Sequence, residues 1–301
     1  HGRYQYVLDF SRKEVVEDIY EMMAKILSEA KVSYIKWDMN RSITECYSVA
    51  LPADRQGEVF HRYILGVYDL YERLTSEFPE VLFESCSSGG GRFDPGMLYY
   101  APQGWTSDDS DAIERLKIQY GTSLCYPISS MGSHVSVIPN HQVFRKTPLH
   151  TRANVAYFGT FGYELDLNSL KEEEIAEVKE QIIFMKKYRK LFQFGDFYRL
   201  KSPFEGNETI WMVVSEDKKT AIVGYYRTLN GVNQAYSRIK LQGLDPDMLY
   251  ENILNKTENY GDELMNFGLI TTDVTAGEVP GDATPCTDFE SRIYILKAKE
   301  K

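Results

Sequence analysis

Two segments of the chain carry acidic side chains with a tryptophan close by. Asp38 closes the apolar stretch of residues 32–38, two positions after Lys36. Side chains two residues apart on a strand share a face, so Lys36 would stand beside Asp38 and keep it ionised. An ionised, positioned carboxylate can serve as a covalent nucleophile. By itself the Lys-x-Asp pattern leaves a surface ion pair equally open.

The second segment has three carboxylates within residues 108–111. Their repulsion, together with burial, would favour the protonated form of one of them, as a general acid requires. The alternative is that Ser107 or Asp108 caps the following helix, where acids suit the helix dipole. Taken together, Asp38 and Asp108 on two strand ends, with Trp37 and Trp105 as aromatic walls, are typical of a glycosidase.

A third segment, residues 84–92, is rich in serine and glycine. Glycines allow backbone amides to approach a ligand closely, and small hydroxyls such as Ser88 suit a sugar. A phosphate-binding loop is disfavoured because the Walker pattern is absent, and a loop without any binding role stays open. His134 and His141 could bind a metal, but no acidic residue at helical spacing completes such a site. Structural roles are favoured for both histidines.

The elements that would position these residues alternate between strand and helix over about the first 190 residues. Such a βαβα order predicts a parallel sheet with helices outside it, and polar sites at the carboxyl ends of the strands. The four or five βα units are too few for a closed (β/α)8 barrel of about 250 residues. Predicted strands cover residues 4–10, 32–38, 81–85 and 155–161, and predicted helices cover residues 12–30 (with a Ser11–Glu14 capping box), 60–78 (ended by Pro79), 112–122 and a long segment opened by Ser169 and Glu172.

The pattern changes near Gly195, where short strands and turns replace helices. The turns contain Asn230-Gly231 and Asp245-Pro246. We therefore predict an α/β fold over residues 1–194, followed by a small all-β sandwich over residues 195–301. The predicted strands of the sandwich are residues 209–214, 220–227, 237–241 and 292–296.

Composition limits the possible partners. The net charge of -10 and the pI of about 5.2 disfavour nucleic acid and anionic membranes. The chain has no apolar run of the length that spans a membrane. Its cysteines form no CxxC pair, which favours reduced thiols and a cytoplasmic location. The four cysteines are Cys46, Cys86, Cys125 and Cys286.

Long motifs in this sequence resemble those of family 36 α-galactosidases. They are QYVLDFSRKEV, YIKWDMNR, SCSSGGGRFD, WTSDDSDAIERLKIQYGTSLCYPISSMGSHVS and PNHQ, in that order. The resemblance is dense from about residue 4 to residue 165 and looser beyond. It implies a central (β/α)8 barrel between two β-sandwiches, of which this chain would hold the later part of the barrel and the C-terminal sandwich.

The resemblance also implies roles for individual residues. Asp38 would be the nucleophile and Asp108 the general acid/base of a retaining hydrolase, with no metal or organic cofactor. The substrate would be an α-galactoside of the melibiose or raffinose type, and the full-length protein could form a tetramer. The residues expected to contact the sugar are Arg3, Lys36, Trp37, Asn40, Cys86, Ser88, Gly89 and Trp105.

The sequence departs from the family pattern in several places. Ser110 stands where many relatives have Thr, and Gly104 stands where a bulkier residue is common. The DDGW and WFEPE strands and the N-terminal sandwich are absent from these 301 residues, so we expect the chain alone to be weakly active or inactive.

Other functions remain open at this stage. The nearest are an α-N-acetylgalactosaminidase and a galactosyl-transferring enzyme. A non-catalytic sugar-binding module is disfavoured because both acids are present, and a phosphosugar-binding protein is disfavoured because the phosphate motif is missing.

Overall fold

The computed structural model describes residues 4–232, 237–271 and 288–299. Contacts divide the chain into two compact units, His1–Asp108 and Asp109–Lys301. The second unit contains both the later α/β elements and the β-rich segment, so it extends across the predicted boundary between residues 194 and 195. The division of the chain into two domains between residues 194 and 195 therefore stays a prediction.

The first unit holds a three-stranded parallel sheet in the order β1-β2-β3, with helices between the strands. The predicted βαβ pattern and the predicted helices of this region are confirmed. Apolar side chains of α1 and α2, such as Val16, Leu70 and Leu74, pack with Phe83 of β2 in one core. The elements are α1 (Lys13–Glu29), β1 (Tyr34–Asp38), a 3₁₀ turn (Ala53–Glu58), α2 (Val59–Glu77), β2 (Leu82–Cys86), α3 (Pro95–Tyr100) and β3 (Gln103–Gly104).

Two local predictions for this unit were wrong. Residues 4–10 form no strand, and Tyr4 and Tyr6 are exposed. Alternating apolar residues need a neighbouring strand to form a ladder, and this segment has none in the described structure. The capping box is also absent, because Ser11 Oγ bonds to Asp9 and Ser48. Arg12 occupies the N-cap position of α1 without a side-chain cap.

The second unit starts with α/β elements and ends in antiparallel sheet. β4 and β5 form a parallel pair, and a six-stranded antiparallel sheet has the order β11-β10-β13-β8-β7-β6. β9 pairs with β12. The elements are α4 (Ala112–Ser123), β4 (Gly132–Ser136), α5 (Leu149–Ala156), β5 (Thr160–Glu164), α6 (Glu172–Phe194), β6 (Asp196–Lys201), β7 (Glu208–Val214), β8 (Thr220–Arg227), β9 (Arg238–Ile239), β10 (Leu249–Asn252), β11 (Glu258–Tyr260), α7 (Gly261–Asn266), β12 (Leu269–Ile270) and β13 (Glu290–Ala298).

The six-stranded sheet is covered on both faces. Trp211 and Val213 of β7 belong to a core shared with α5 and α6. Met212 of the same strand belongs to a second core, which includes Ile239 of β9 and Leu264 of α7. Side chains alternate between the faces of a strand, so helices cover one face and the β9–β12 pair with α7 covers the other. The chain thus has an α/β part with parallel strands and an antiparallel β part.

The prediction of a strand at residues 155–161 was wrong. Residues 149–156 are the helix α5, and the strand begins later, at Thr160. Val155 and Tyr157 are buried in the core, and this burial explains why residues 155–161 have the apolar pattern of a strand. The described residues contain small open sheets and no closed barrel. None of the helices in this described part has the length and apolar character needed to cross a membrane.

Candidate active site

The candidate active site lies where three parallel strands of the first unit end. β1 ends at Asp38, β2 ends at Cys86, and β3 leads at once into Trp105. The register of β1 and β2 pairs Lys36 with Glu84 and Asp38 with Cys86. Carboxyl ends of parallel strands share one edge of a sheet, so these side chains are brought together.

Asp38 is an exposed carboxylate at the end of β1. The Nδ2 amide of Asn40 donates a hydrogen bond to its Oδ2 atom. The Cys86 thiol lies on the adjacent strand, in register with Asp38. Burial raises the pKa of Cys86 to about 11, and the neighbouring Asp38 carboxylate contributes to the rise. The thiol is therefore neutral at pH 7.

The loop after β2 is tied to the segment after β1 by several bonds. Ser88 donates two hydrogen bonds to Asn40. Its backbone N–H donates to Asn40 Oδ1 at 3.0 Å, and its Oγ donates to the Asn40 carbonyl at 3.1 Å. Arg92 donates to the carbonyls of Met39 and Arg41. These bonds fix the backbone segment that directly follows Asp38.

Gly89 connects this loop to the second acid. It has a φ of +80°, which L-residues with side chains rarely adopt. A Cβ atom on Gly89 would lie 2.5 Å from Ser107 Cα and 3.0 Å from Asp108 N. The neighbouring Gly90 N–H donates to the Thr106 carbonyl at 3.0 Å. Only glycine permits this close approach, and residues 86–89 thereby connect the end of β1 to the backbone of Asp108.

Asp108 itself is half-buried and does not cap the following helix. The N-cap of α4 is Asp111, whose carboxylate accepts bonds from the N–H groups of Ile113 and Glu114. Arg145 is paired with the same carboxylate. The capping alternative for Asp108 was therefore wrong, because another acid of the same run performs that role.

Lys36 lies between an aromatic ring and a buried carboxylate. Its Nζ atom is 4.6 Å from the ring centroid of Trp105 and 3.5 Å from Glu84 Oε1. Trp105 is buried, and its backbone N–H donates to the Ser85 carbonyl at 2.8 Å. A cation over an indole face is stabilised by the ring electrons. The structure therefore brings Lys36 and Trp105 together at the same strand ends as Asp38.

Trp37 is not brought to that face. Its ring centroid lies 5.0 Å from that of Tyr71 and 6.3 Å from that of Phe83, within the core formed with α2. Strand alternation places it on the opposite side of β1 from Lys36 and Asp38. These contacts favour a packing role, and sugar binding by Trp37 stays a prediction. Arg3, the remaining predicted sugar contact, lies outside the described residues.

A cleft of about 510 Å³ borders one side of the site. Lys36, Asp38 and Asn40 line it together with Arg92 and with apolar side chains of α1 and residues 5–10. Asp108, Cys86, Gly89 and Trp105 are not part of its lining. The site is therefore defined by the hydrogen bonds and close approaches at the strand ends, and the cleft is a neighbouring space.

Sequence reasoning missed two residues that organise the site, Glu84 and Arg92, and a third, Tyr34, that is hydrogen-bonded to Glu84. Glu84 and Tyr34 contact each other across β1 and β2, and Arg92 ties the two strand-end segments together. Burial and the hydrogen bond to the Glu84 carboxylate raise the pKa of Tyr34, so its hydroxyl stays protonated. A polar residue within an otherwise apolar strand, as Glu84 is, was the available signal. Within the described ranges, no three His, Cys, Asp or Glu side chains are grouped as metal ligands would be.

Two strand-end carboxylates, joined by a glycine-rich loop and accompanied by a tryptophan, are features expected of an α/β carbohydrate-active protein. Family models identify the chain more closely. The melibiase model matches residues 1–195, and the model of the glycosyl hydrolase family 36 C-terminal domain matches residues 208–296. The chain belongs to the melibiase family, within glycosyl hydrolase family 36.

Individual relatives agree with this assignment. The chain is 56% identical over 302 residues to the α-galactosidase AgaA of Geobacillus stearothermophilus, covering 100% of this chain and 40% of AgaA. A crystal structure of an AgaA variant with raffinose has a TM-score of 0.92 at 52% identity, covering 99% of this chain and 40% of that one. The α-galactosidase structure from Lactobacillus brevis has a TM-score of 0.94 at 50% identity, with coverages of 100% and 40%. This chain thus spans about 40% of the length of the relatives that it matches.

Proposed function

We propose that the protein containing this chain is a retaining α-galactosidase, with Asp38 as nucleophile and Asp108 as general acid/base. The observation that supports the proposal is that residues 86–89 link the two acids: Cys86 is in register with Asp38, and Gly89 packs against the backbone of Ser107 and Asp108. Two carboxylates that face a common sugar are what glycoside hydrolysis requires. The relatives named α-galactosidases, one of them with bound raffinose, support the choice of substrate.

For the fold, we propose that the α/β part is the later portion of a (β/α)8 barrel. The parallel pairs β1-β2-β3 and β4-β5 support this, as do the high TM-scores to whole family 36 enzymes. The strand-end location of Asp38 and Asp108 is the location of active sites in such barrels.

In the first step, the Asp38 carboxylate attacks the anomeric carbon of the galactoside. Asp108 donates its proton to the glycosidic oxygen, so that the leaving sugar departs as an alcohol and a β-galactosyl ester of Asp38 forms. The hydrogen bond from Asn40 Nδ2 holds the attacking carboxylate in one orientation. Such fixed orientation lowers the barrier because less freedom is lost on reaching the transition state.

In the second step, the Asp108 carboxylate accepts a proton from water, which attacks the same carbon and releases Asp38. Two inversions retain the α configuration of galactose. We predict a separation between the two carboxyl groups of about 5–5.5 Å, the value typical of retaining enzymes. Lys36 would donate a hydrogen bond to a galactose hydroxyl from its place over Trp105.

Three related functions compete with this one. An α-N-acetylgalactosaminidase would need space for an acetamido group beside Cys86, and a galactosyl-transferring enzyme would prefer a sugar acceptor to water. A sugar-binding module would need neither acid. Expectations of no cofactor, of a tetramer and of a cytoplasmic location stay predictions.

The experiment is hydrolysis of p-nitrophenyl α-D-galactoside by the full-length protein and by Asp38→Asn and Asp108→Asn variants. We expect both variants to lose at least about 10³-fold in kcat, because each removes a group that acts in the transition state. Asp18→Asn, which changes an exposed carboxylate of α1, is the matched control and should keep the normal rate.

Azide separates the two roles. It should restore turnover to an Asp38→Ala variant with formation of β-galactosyl azide, since azide can replace a missing nucleophile. A wild-type protein that binds galactose but hydrolyses no α-galactoside would favour the binding module. The 301-residue polypeptide, assayed beside the full-length protein, tests the expectation that it is weakly active or inactive alone.

A further inference from the structure

Glu84 is a buried carboxylate in the middle of the site's parallel sheet, with only 3% of the residue exposed. Its two oxygens have different surroundings. Oε2 accepts hydrogen bonds from Tyr34 Oη and, at 3.1 Å, from Gln103 Nε2. Oε1 accepts no hydrogen bond in the described structure, and its charged neighbour there is Lys36, whose Nζ lies 3.5 Å away. One oxygen is therefore anchored to the sheet while the other faces the lysine.

Lys36 has the opposite character. Its side chain is 39% exposed, and within the described residues it forms one salt bridge, with Glu84. The Nζ atom also lies over the Trp105 ring at 4.6 Å. A lysine side chain has four rotatable bonds and a compact charge, so an unrestrained one samples many positions. Glu84 of β2 and Trp105, which directly follows β3, restrict the side chain of Lys36.

We propose that Glu84 is a positioning residue: its Oε1 holds the Lys36 ammonium over Trp105, in the orientation that contacts the galactosyl hydroxyls. This inference rests on the proposed function. Glu84 would not touch the substrate, because its carboxylate is buried within the sheet and its outer oxygen is directed at Lys36. Its effect on the reaction would pass through Lys36 alone.

A purely structural role for Glu84 makes a different prediction. If the carboxylate only joined Tyr34 and Gln103 for stability, its loss would lower the free energy of unfolding without any special dependence on Lys36. Positioning predicts instead that the effects of Glu84 and Lys36 on substrate binding are strongly non-additive. The two roles can therefore be separated by a double-mutant cycle.

The cycle uses the full-length protein with wild type, Glu84→Gln, Lys36→Met and the double variant. Glutamine keeps the size of the side chain and can still bond to Tyr34 and Gln103, but it cannot hold the ammonium by charge. We expect Glu84→Gln to raise KM about tenfold with kcat changed less than about threefold, because a hydrogen bond made to substrate and transition state alike affects mainly KM. In the Lys36→Met background, the same substitution should change KM less than about twofold.

Two controls accompany the cycle. Tyr34→Phe removes a hydrogen bond to Oε2 but leaves the Glu84–Lys36 pair, so its KM should stay within about twofold of the wild type. Glu84→Asp keeps the charge on a shorter side chain and should recover part of the lost affinity. Thermal unfolding of each variant shows whether the fold is intact. Equal and additive KM effects in both backgrounds, or a Tyr34→Phe effect as large as that of Glu84→Gln, would overturn the proposal.

A ligand-free measurement separates this proposal from the proposed function. The Cε protons of Lys36, assigned by comparison with Lys36→Met, should show an upfield NMR shift because the Trp105 ring lies beside them. Glu84→Gln should reduce that shift, whereas Tyr34→Phe should not. A wild type without galactosidase activity or galactose binding would refute the proposed function alone, and the NMR result would still decide the position of Lys36. An unchanged shift in Glu84→Gln would refute the role of Glu84 even in a fully active enzyme.

Discussion

Two buried glutamates, one in each unit of the chain, have different sets of partners. Glu84 lies in the parallel sheet of the candidate site and Glu208 in the six-stranded antiparallel sheet. The residues are 3% and 5% exposed. Both oxygens of Glu208 are bonded: Oε1 accepts from Tyr225 at 2.5 Å and from Ser237 at 2.7 Å, and Oε2 accepts from Lys201. Glu84 instead directs one oxygen at Lys36 without a hydrogen bond.

The strands around the two glutamates also differ in burial. All seven residues of β7 are buried, and every residue of β8 except the first is buried. Along β1 the exposed and half-buried residues alternate, and the exposed ones include Lys36 and Asp38. Burial on both faces with satisfied polar groups serves stability, whereas an open face with partly satisfied groups serves binding. The two glutamates illustrate this division within one chain.

Apart from changes to the two acids themselves, the largest expected effect is at Gly89, on the loop of the site sheet. We expect Gly89→Ala to lower kcat/KM by about 100-fold or more, since the new Cβ would displace Ser107 and Asp108, and a displacement of about 1 Å can cost that much. The assay is p-nitrophenyl α-D-galactoside hydrolysis by the full-length variant. The matched control is Gly206→Ala in the turn between β6 and β7, where φ is also positive (+144°) but no atom lies within 4 Å of the new Cβ. Activity within twofold of the wild type for Gly89→Ala would show that Asp108 does not depend on this contact.

The next effect concerns stability in the antiparallel sheet. Glu208→Gln should lower the free energy of unfolding by about 1–3 kcal/mol, because a buried network loses its charge and one of its acceptors. The kcat of the folded enzyme should stay within about twofold of the wild type. Urea unfolding beside the control Glu205→Gln, which changes an exposed carboxylate, measures the difference. A large loss of kcat without loss of stability would remove the contrast between the two glutamates.

Acid should reduce the difference between wild type and Glu208→Gln. Burial raises the pKa of Glu208, but the hydrogen bonds from Lys201, Ser237 and Tyr225 outweigh it and leave the pKa below its ordinary value. A carboxylate with a lowered folded-state pKa contributes stability that is present above the unfolded-state pKa of about 4.3 and is lost as the pH falls through the folded-state value. The stability difference should therefore be largest near pH 7 and shrink below about pH 4. A difference that is constant from pH 7 to pH 3 would refute this assignment.

The smallest effect is the reactivity of the thiols. Cys86 is buried and its pKa is raised to about 11, so only about one thiol in 10³ is ionised at pH 8 and alkylation should be slow. Cys125 is exposed and should react first. Peptide mass spectrometry after brief treatment with iodoacetamide distinguishes the two. Rapid labelling of Cys86 would show that the thiol is neither buried nor held against Asp38. Cys286 lies outside the described residues.

The sequence was sufficient for much of the fold and for part of the site. Hydrophobic periodicity located α1 and α2 well, because each buries one continuous stripe of side chains. It failed for residues 155–161, since a buried helix end followed by a partly buried strand start has the same apolar composition as one strand. It also failed for residues 4–10, where no partner strand lies alongside in the described structure.

The residues that support the site could not be predicted, because their roles depend on contacts between distant segments. Glu84 matters through its register with Lys36, and Arg92 through the carbonyls of Met39 and Arg41. The capping residue of α4 was misjudged because three acids within residues 108–111 could each serve, and only the backbone geometry selects Asp111. Strand alternation alone places Trp37 on the opposite face of β1 from Asp38, so the sequence pattern itself favours a packing role for Trp37.

The most direct test of the account is to trap the covalent intermediate on the full-length protein. The reagent is a fluorinated α-galactosyl fluoride, which forms the glycosyl ester of a retaining enzyme quickly, whereas the ester is hydrolysed slowly. Wild type and Asp38→Asn are incubated with this reagent, and their peptides are analysed by mass spectrometry. The account predicts one galactosyl adduct, on Asp38, and none in the variant. An adduct on another carboxylate, or release of β-galactose as the first product from an α-galactoside, would contradict the assignment of Asp38 as the nucleophile of a retaining enzyme.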